Sequence, residues 1–270
     1  MLSARGTLII DAKNMRMAIM LRQEHDGTMD FADLHNHMLF GVDDGAKSAE
    51  EMYRLIDASF ADGVRHLCFT PHYHPGYFGE HQDQIASAFE LAKQYAAEHH
   101  PELTLSLGNE LRYERSCIEW LEQGRCQTLN HTQYLLVDFL YPEPAENILD
   151  AMLRVLNSGY TPVLAHVERY EKFHRDLREV DRLKSWGVIL QVDAQAPLGG
   201  LGRGSKVRSR RLLEAGAVDF IASDAHDLTS RPPQLKACRD FVARKYGEDY
   251  AQHLFWEEPV RILTDQSTPL

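Results

Sequence analysis

The chain has 270 residues, and its 40 Asp and Glu against 29 Lys and Arg give a formal net charge of −11. Such an acidic chain lacks the basic face that neutralises nucleic-acid phosphates, which argues against nucleic acid as a partner. Hydrophobic residues make up 44%, enough for a core, yet no apolar run approaches the ~20 residues of a membrane helix. The 14 histidines direct attention to metal binding and proton transfer.

Residues 1–29 differ from the rest of the chain. Charged residues break their apolar stretches, which are shorter than the core of a secretory signal. We expect a flexible N-terminal tail, or an upstream start, followed by a single domain over 30–270, because no Pro/Gly-rich linker divides the chain. The four cysteines have neither zinc-knuckle nor dithiol spacing, which favours a reducing cytoplasm.

From residue 31 onward, short β-prone runs alternate with longer segments of helical period. The predicted strands are 31–35, 65–70, 103–107, 133–139, 162–166, 188–192 and 218–223. In the first helix, Ser48 and Glu51 form a capping pair and Gly63 stands where a C-terminal cap belongs. Further helices are expected at about 81–99, 114–122, 145–158, 175–186, 207–215 and 233–246. Seven strand–helix units predict an α/β fold with a closed or nearly closed barrel; an open doubly wound sheet is the alternative.

Metal-ligand side chains recur at the ends of the predicted strands. His35 and His37 are two apart on the first strand, so both imidazoles face the same side. In β/α barrels the C-terminal strand ends meet at one mouth. The residues that we expect to converge there are His35, His37, Asp44, His72, Glu110, Asp138, His166, Asp224 and His226. Nine N and O donors, with no thiolate among them, suit a cluster of two or three divalent ions. This donor set favours Mn²⁺, Fe²⁺/Fe³⁺, Zn²⁺ or Mg²⁺ without choosing among them.

The motifs Asp33-Leu34-His35-Asn36-His37, Asp43-Asp44-Gly45, Thr70-Pro71-His72, His166-Val167-Glu168-Arg169-Tyr170 and Ser223-Asp224-Ala225-His226 occur in one order. Together they closely resemble the polymerase-and-histidinol-phosphatase (PHP) superfamily. Within it, the match is to the bacterial capsule and exopolysaccharide tyrosine-protein phosphatases of the CpsB/CapC type, over about residues 30 to 263. The resemblance implies a PHP-type distorted TIM-like (β/α)7 barrel. It also implies metal-dependent hydrolysis of phosphotyrosine on a protein, with a bacterial autophosphorylating tyrosine kinase as the expected substrate.

The same resemblance assigns roles to individual residues. One ion is expected on His35, His37, Glu110 and Asp224, a second on Glu110, Asp138 and His166, and a third on Asp44, His72 and His226. Arg169 and Arg231 match the family's phosphate-binding arginines. Asp138 departs from the family, which usually has Glu there, so the second ion is expected to shift or to gain a water ligand. A water acidified by the ions, from a pKa of about 15.7 towards about 7, is the expected nucleophile.

Other activities are weighed against this one. A PHP phosphoesterase acting on histidinol phosphate or a nucleotide is the main alternative. An amidohydrolase barrel is disfavoured because its usual strand-four lysine is replaced by Asp138, and a metal-stabilised binding module is the non-enzymatic alternative. Cys238 and Arg244 have the spacing of cysteine-based tyrosine phosphatases, but the glycine-free segment between them is predicted to be helical.

Two loops are candidates for substrate contact. Tyr73, Tyr77 and Phe78 follow the second strand and could flank a phenyl ring, although packing around that loop is an equal alternative. Residues 199–204 are read as a mobile loop at the mouth rather than a nucleotide-binding loop, since Ser205-Lys206 follows where Lys-Ser/Thr is needed. The cations in and after this loop could attract an acidic phosphopeptide, or could be a solvated face: Arg203, Lys206, Arg208, Arg210 and Arg211.

Overall fold

The computed structural model describes residues 30–78, 82–175 and 177–265. The predicted tail 1–29 therefore lies outside the described residues. The strands are β1 Phe31–Asp33, β2 Val64–Phe69, β3 His72–Tyr73, β4 Thr104–Leu107, β5 Glu110–Arg112, β6 Tyr134–Asp138, β7 Thr161–Leu164, β8 Ile189–Asp193 and β9 Phe220–Ala222. All seven predicted strands are present, and the short β3 and β5 are additional.

Helices follow most of the strands. They are α1 Ala49–Asp62, α2 Gln82–His99, α3 Cys117–Glu122, α4 Ala145–Asn157, α5 Glu171–Arg175, α6 Leu177–Ser185, α7 Gln195–Leu198, α8 Gly202–Glu214, α9 Leu235–Tyr246, α10 Glu248–Gln252 and α11 Glu258–Thr264. As predicted for α1, the Ser48 side chain accepts a hydrogen bond from the Glu51 backbone N–H, and Gly63 ends the helix at φ 110°. That conformation favours glycine, because a Cβ destabilises the left-handed region.

The strands pair in parallel as β1-β2-β4 and as β3-β5-β6-β7-β8-β9. The break between β2 and β3 lies beside the break between β4 and β5, and Gly108 N donates to Phe69 O at 2.8 Å across it. Beyond β1 and β9, a parallel bridge joins Asn36 to Ala225, and His37 N donates to Ala225 O at 2.8 Å. The curled sheet thus has seven strand positions, which confirms the predicted barrel-like fold and contradicts the open doubly wound alternative.

The C-terminal segment was not predicted to be helical. Residues His253–Glu257 form a π-helical turn that leads into α11. There Phe255 packs on Phe31 of β1, with ring centroids 6.1 Å apart. Ile262 and Leu263 of α11 join the core cluster that contains Phe220 of β9. The final helices therefore pack against the barrel core, beside β1 and β9.

The interpretation of residues 199–204 as a mobile loop is wrong in its second half. Gly199 does end α7 with φ 101°, but α8 begins at Gly202, five residues before the predicted start. The two glycines at its beginning are weak helix formers, which hid the helix from a propensity argument. No helix in the described part of the chain has the length and apolar character needed to cross a membrane.

Candidate metal centre

His37 occupies the middle of the site. Its Nε2 lies 3.3 Å from His35 Nε2, and its ring centroid lies 4.1 Å from that of His226 and 4.3 Å from that of His72. These imidazoles follow the C-terminal ends of β1, β2 and β9, with His72 itself the first residue of β3. The fold thus brings together residues that are almost 200 positions apart, as the strand-end argument predicts. Ring nitrogens this close need a shared cation or proton between them.

Glu110, at the start of β5, faces this histidine cluster. Its buried Oε2 lies 3.4 Å from His35 Nε2, 3.2 Å from His37 Nε2 and 2.8 Å from His72 Nδ1. Despite these neighbours it accepts no hydrogen bond among the described residues. A buried carboxylate oxygen without a hydrogen bond is costly, and one that faces three imidazole nitrogens has the surroundings of a metal ligand. The residues present therefore fit a divalent cation.

Within the described residues, three groups have ligand atoms close enough to share an ion: His35, His37 and Asp224; His35, Glu110 and His166; and His37, Asp44, His72 and His226. Eight of the nine predicted ligands are in these groups. In the third group, His72 Nε2 and His226 Nε2 each lie 3.5 Å from Asp44 Oδ1. Asp44 is the most exposed of the set, with 51% of its side chain accessible, so this group opens to solvent.

Asp138 is the predicted ligand that these groups omit. Its Oδ1 is 3.8 Å from His166 Nε2, while its Oδ2 is 2.6 Å from the guanidinium of Arg112. Tyr170 donates its hydroxyl hydrogen to Oδ1 at 3.3 Å. The short side chain of an aspartate places its carboxylate beside Arg112 on the adjacent strand. Asp138 thus lies at the edge of the cluster and its role as a ligand stays a prediction.

The electrostatics of the centre favour positive charge. Burial lowers the pKa of His35, but the carboxylates of Glu110 and Asp224 more than offset this and raise it to about 9. Burial acts to raise the pKa of Glu110, and the surrounding imidazoles hold it well below its ordinary value. Ionised carboxylates in a buried site attract a cation strongly, because the local dielectric constant is low.

Two of the predicted ligands have a strained backbone conformation. His166 has φ 36° and Asp224 has φ 50°, a region that costs a non-glycine residue of order 1–3 kcal/mol. His166 N donates to Gln191 Oε1 at 2.7 Å, and Asp224 N donates to His35 O at 2.8 Å. These hydrogen bonds hold the left-handed turns that aim both side chains inward.

The two predicted arginines also reach the centre. Arg169 Nη2 lies 2.7 Å from Asp224 Oδ2, and Arg231 donates to the same oxygen. Arg231 Nη1 is also 2.7 Å from His226 Nε2. About a third of each side chain is accessible, 36% for Arg169 and 29% for Arg231. Both guanidinium groups can therefore meet an anion that enters the mouth.

Sequence reasoning missed the residues that orient the ligands. Asp43 Oδ2 lies 2.7 Å from His37 Nδ1 and accepts a hydrogen bond from His72 N at 3.0 Å. Gln191 Oε1 lies 3.2 Å from His35 Nδ1, and Asp193 Oδ2 accepts from Arg169 at 3.1 Å. The signal available was a polar residue within the apolar run of β8. Carboxylates and amides of this kind fix the tautomer and the orientation of metal-binding histidines.

Gly45 explains the Asp-Asp-Gly motif. A Cβ at this position would lie 1.7 Å from the backbone oxygen of His37. The loop of residues 43–45 thus passes directly over the backbone of His37. Within the loop, Gly45 N donates to Asp43 Oδ1 at 2.9 Å. Only glycine permits this approach, which places Asp43 behind His37 and Asp44 in front of the cluster.

The aromatic residues after β2 divide into two kinds. Tyr73 is buried, and its ring packs on that of Trp120 at 5.5 Å, so it is a core residue and does not flank a substrate. Phe78 stacks on the imidazole of His72 at 5.5 Å, and 36% of it is exposed. Tyr77 is 77% exposed. Cys238 is buried within α9, where burial raises the pKa of its thiol, so it does not act as a nucleophile.

Comparisons with known proteins identify the family of the chain. The family described as "Capsular polysaccharide synthesis, CpsB/CapC" matches residues 31–264. Tyrosine-protein phosphatase CpsB of Streptococcus pneumoniae is 35% identical over 239 residues, which cover 87% of this chain and 98% of that protein. Tyrosine-protein phosphatase YwqE of Bacillus subtilis is 28% identical over 222 residues, covering 80% and 85% of the two chains.

Solved structures extend the comparison. One from a study of YwqE and CpsB, described as unique metal-dependent tyrosine phosphatases, matches with a TM-score of 0.79 and 26% identity over 87% of this chain and 95% of the other. Histidinol phosphate phosphatase from Lactococcus lactis shares the fold, with a TM-score of 0.56 and 16% identity over 86% and 98%. The metal-ligand geometry, the barrel and the match across residues 31–264 lead to one conclusion: the chain belongs to the CpsB/CapC family of capsular polysaccharide synthesis proteins.

Proposed function

We propose that the chain is a metal-dependent tyrosine-protein phosphatase, which hydrolyses phosphotyrosine on a protein that takes part in capsule or exopolysaccharide synthesis. The observation that carries this proposal is the Glu110 carboxylate, which is buried among three imidazoles at the mouth of the barrel. Two arginines border it within reach of an incoming anion. The relatives named tyrosine-protein phosphatase supply the substrate class.

The donor set supports two or three divalent ions, with Mn²⁺ as the expected metal and Fe, Co, Zn or Mg as alternatives. One ion would be held by His35, His37, Glu110 and Asp224, the second by Glu110, Asp138 and His166, and the third by Asp44, His72 and His226. When bound, such ions supply Lewis acidity, which polarises the phosphoryl oxygens and lowers the pKa of water. The position of Asp138 beside Arg112 makes the second site the weakest of the three.

Arg169 and Arg231 bind and orient the phosphoryl group. Arg169 contacts Asp193 and Asp224 through Nη2 alone, whereas Arg231 contacts Asp224 through Nη2 and His226 through Nη1. The remaining N–H groups of the two guanidinium groups would meet the substrate's oxygens. Paired hydrogen bonds from a guanidinium fit the geometry of phosphate and restrict its rotation. Asp193 fixes Arg169 from behind, at 3.1 Å. The two arginines would therefore hold the phosphoryl group beside the metal centre.

The substrate's aromatic ring meets the loop after β3. Phe78 already stacks on His72, and the exposed Tyr77 stacks on His74 with ring centroids 4.7 Å apart. An aryl ester leaves as a phenolate of pKa about 10, so it needs less general-acid assistance than an alkyl ester. This loop favours a flat phenyl ring over a small polar alcohol.

A bacterial autophosphorylating tyrosine kinase is the proposed partner, and the cytoplasm is the proposed compartment. All four cysteines are free and buried in the described structure, as expected of a protein kept under reducing conditions. The acidic net charge of −11 supports a protein partner over nucleic acid.

Relative turnover tests the proposal against the small-molecule alternative. We expect kcat/KM with Mn²⁺ to be higher for a phosphotyrosyl peptide than for histidinol phosphate or a mononucleotide. A preference for either small molecule would contradict the assignment and favour a general PHP phosphoesterase.

A further inference from the structure

Helix α8 carries five cations within nine residues of a chain whose net charge is −11. They are Arg203, Lys206, Arg208, Arg210 and Arg211. None of them forms an ion pair with a carboxylate of the described residues. Arg208 donates to Glu168 O and Ser205 Oγ, and Arg210 donates to Pro197 O and lies over the Phe241 ring at 4.5 Å. The hydrogen bonds of Arg208 and Arg210 thus go to neutral groups, and these contacts do not neutralise their charge.

The outward face of α8 concentrates this charge. Positions 203, 207 and 211 are four residues apart and share one side of the helix, with 206 and 210 beside them. Arg203 and Arg211 are exposed, and Val207 between them is 57% exposed. Leu212 and Leu213 on the opposite side are buried. We call the set Arg203, Lys206, Val207, Arg210 and Arg211 the basic stripe; Lys206 and Arg210 in it are half-buried.

Helix stability does not explain the basic stripe. Like charges three or four residues apart destabilise a helix, and this spacing separates Arg203 from Lys206 and Lys206 from Arg210. The glycines at positions 202 and 204 destabilise the first turn further. A segment that accepts these costs on an acidic protein has the character of a binding surface, because charge of one sign on a local face steers an oppositely charged ligand.

Helix α8, which carries the basic stripe, packs against residues 167–169 on the arginine side of the metal centre. Arg208 binds the backbone oxygen of Glu168, the residue before Arg169. Helix α7 links the same region to the loop of Arg231, because Gln195 Nε2 donates to Pro232 O at 3.5 Å. A substrate whose phosphate lies between Arg169 and Arg231 would therefore have its neighbouring residues directed towards α8.

From these observations we propose that the basic stripe binds an acidic segment flanking the phosphotyrosine of the substrate protein. This inference rests on the proposed function, and it names the sequence character that the enzyme selects. From position 203 to 211 the helix rises about 12 Å, which an extended peptide covers in about four residues. A short run of Asp or Glu beside the tyrosine would fit, with an apolar residue over Val207. The stripe is narrow and its protein acidic, which favours a peptide over an anionic membrane surface.

Direct binding tests the proposal without reference to catalysis. The probe is a fluorescein-labelled peptide with an unphosphorylated tyrosine beside a run of glutamates, and its binding is followed by fluorescence anisotropy. The test variant combines Arg203→Ala, Lys206→Ala and Arg211→Ala, which alanine's helix propensity should tolerate. The control variant, with an equal loss of charge on other exposed helix positions, combines Arg54→Ala, Lys93→Ala and Arg154→Ala.

We expect the Kd of the glutamate peptide to rise about tenfold in the test variant and to stay within about twofold in the control. Wild-type affinity should also fall between about 50 and 300 mM NaCl. Equal affinities of the test variant and wild type would overturn the proposal. Binding to phosphatidylserine vesicles is measured in parallel. If the test variant loses affinity for the vesicles and not for the peptide, the proposal is also overturned and the stripe is a membrane-binding surface.

Kinetics then separate this inference from the proposed function. In the test variant, KM should rise for a phosphotyrosyl peptide flanked by glutamates and stay constant for one flanked by serines, with p-nitrophenyl phosphate turnover unchanged. If both peptides respond alike, the stripe has no role in selection although the phosphatase assignment stands. If no phosphate ester is hydrolysed with any divalent ion, the proposed function fails, and the anisotropy result still decides the stripe.

Discussion

Replacing Asp43 by asparagine tests how the metal centre is oriented. Asp43 Oδ2 lies 2.7 Å from His37 Nδ1 with both side chains buried, and it also accepts from His72 N at 3.0 Å. One carboxylate therefore fixes the positions of two predicted ligands. Asparagine keeps the shape of the side chain but places a neutral amide against the imidazole. The Nε2 atom of His37 then becomes a weaker and less precisely oriented metal ligand.

The magnitude follows from the hydrogen bond that is lost. A hydrogen bond to a charged group contributes about 1.5–3 kcal/mol, which corresponds to roughly 10–100-fold in affinity. That range matches the usual effect of removing a residue that supports a metal-binding histidine. We therefore expect Asp43→Asn to raise the Kd for Mn²⁺ by 10–100-fold in isothermal titration calorimetry, and activity to recover in excess metal.

A matched control exists on the far side of α1. Asp57 Oδ1 lies 2.7 Å from His100 Nε2, the same kind of carboxylate–imidazole pair outside the metal centre. Asp57→Asn should leave the Mn²⁺ affinity unchanged. If Asp43→Asn binds Mn²⁺ as tightly as the wild type does, the claim that Asp43 orients His37 is wrong.

Three further predictions concern stability. Gly45→Ala would place a Cβ 1.7 Å from His37 O, so we expect it to lower the free energy of unfolding by about 1–3 kcal/mol in urea; an unchanged midpoint would contradict this. Ser223→Ala removes a hydroxyl that donates to Asp33 Oδ2 at 2.6 Å and accepts from Ala225 N, and urea unfolding should show a loss of about 1–3 kcal/mol. Burial lowers the pKa of His66 from 6.5 to about 4, so protonation of this imidazole favours the unfolded chain. We therefore expect the contribution of His66 to the free energy of unfolding to fall by about 3 kcal/mol as the pH drops from 6.5 to 4. In His66→Gln that part of the pH dependence should be absent, and a wild-type slope would refute the assignment.

The strands were predictable because each is a short apolar run bounded by turn residues. The convergence of the candidate ligands was predictable because parallel strands end at one edge. Strands β3 and β5 were not predictable, because each has only two or three residues. Strands this short leave no periodic pattern in the sequence. The start of α8 was hidden by glycines. Asp43 and Gln191 escaped notice because their partners are chosen by tertiary contacts.

Asp138 shows the limit of assigning roles from a motif. Its position in the chain matches a ligand of the family's motif, yet it pairs with Arg112, its direct neighbour on the adjacent strand β5. A pattern of spacing identifies which residues can meet, and the competing partners become visible only in the folded protein. The same holds for Tyr73, whose place after β2 suggested substrate contact and whose ring is buried against Trp120.

The central claim is that divalent ions held by this cluster are required for hydrolysis of phosphotyrosine. The direct test is the metal content by mass spectrometry, measured together with phosphotyrosyl-peptide turnover, in the wild type and Glu110→Gln after chelation and re-addition of Mn²⁺. The account predicts that turnover stops on chelation and returns with two or three bound ions in the wild type, whereas Glu110→Gln binds fewer ions and stays inactive. Turnover that survives complete removal of metal, or that persists in Glu110→Gln, would contradict it.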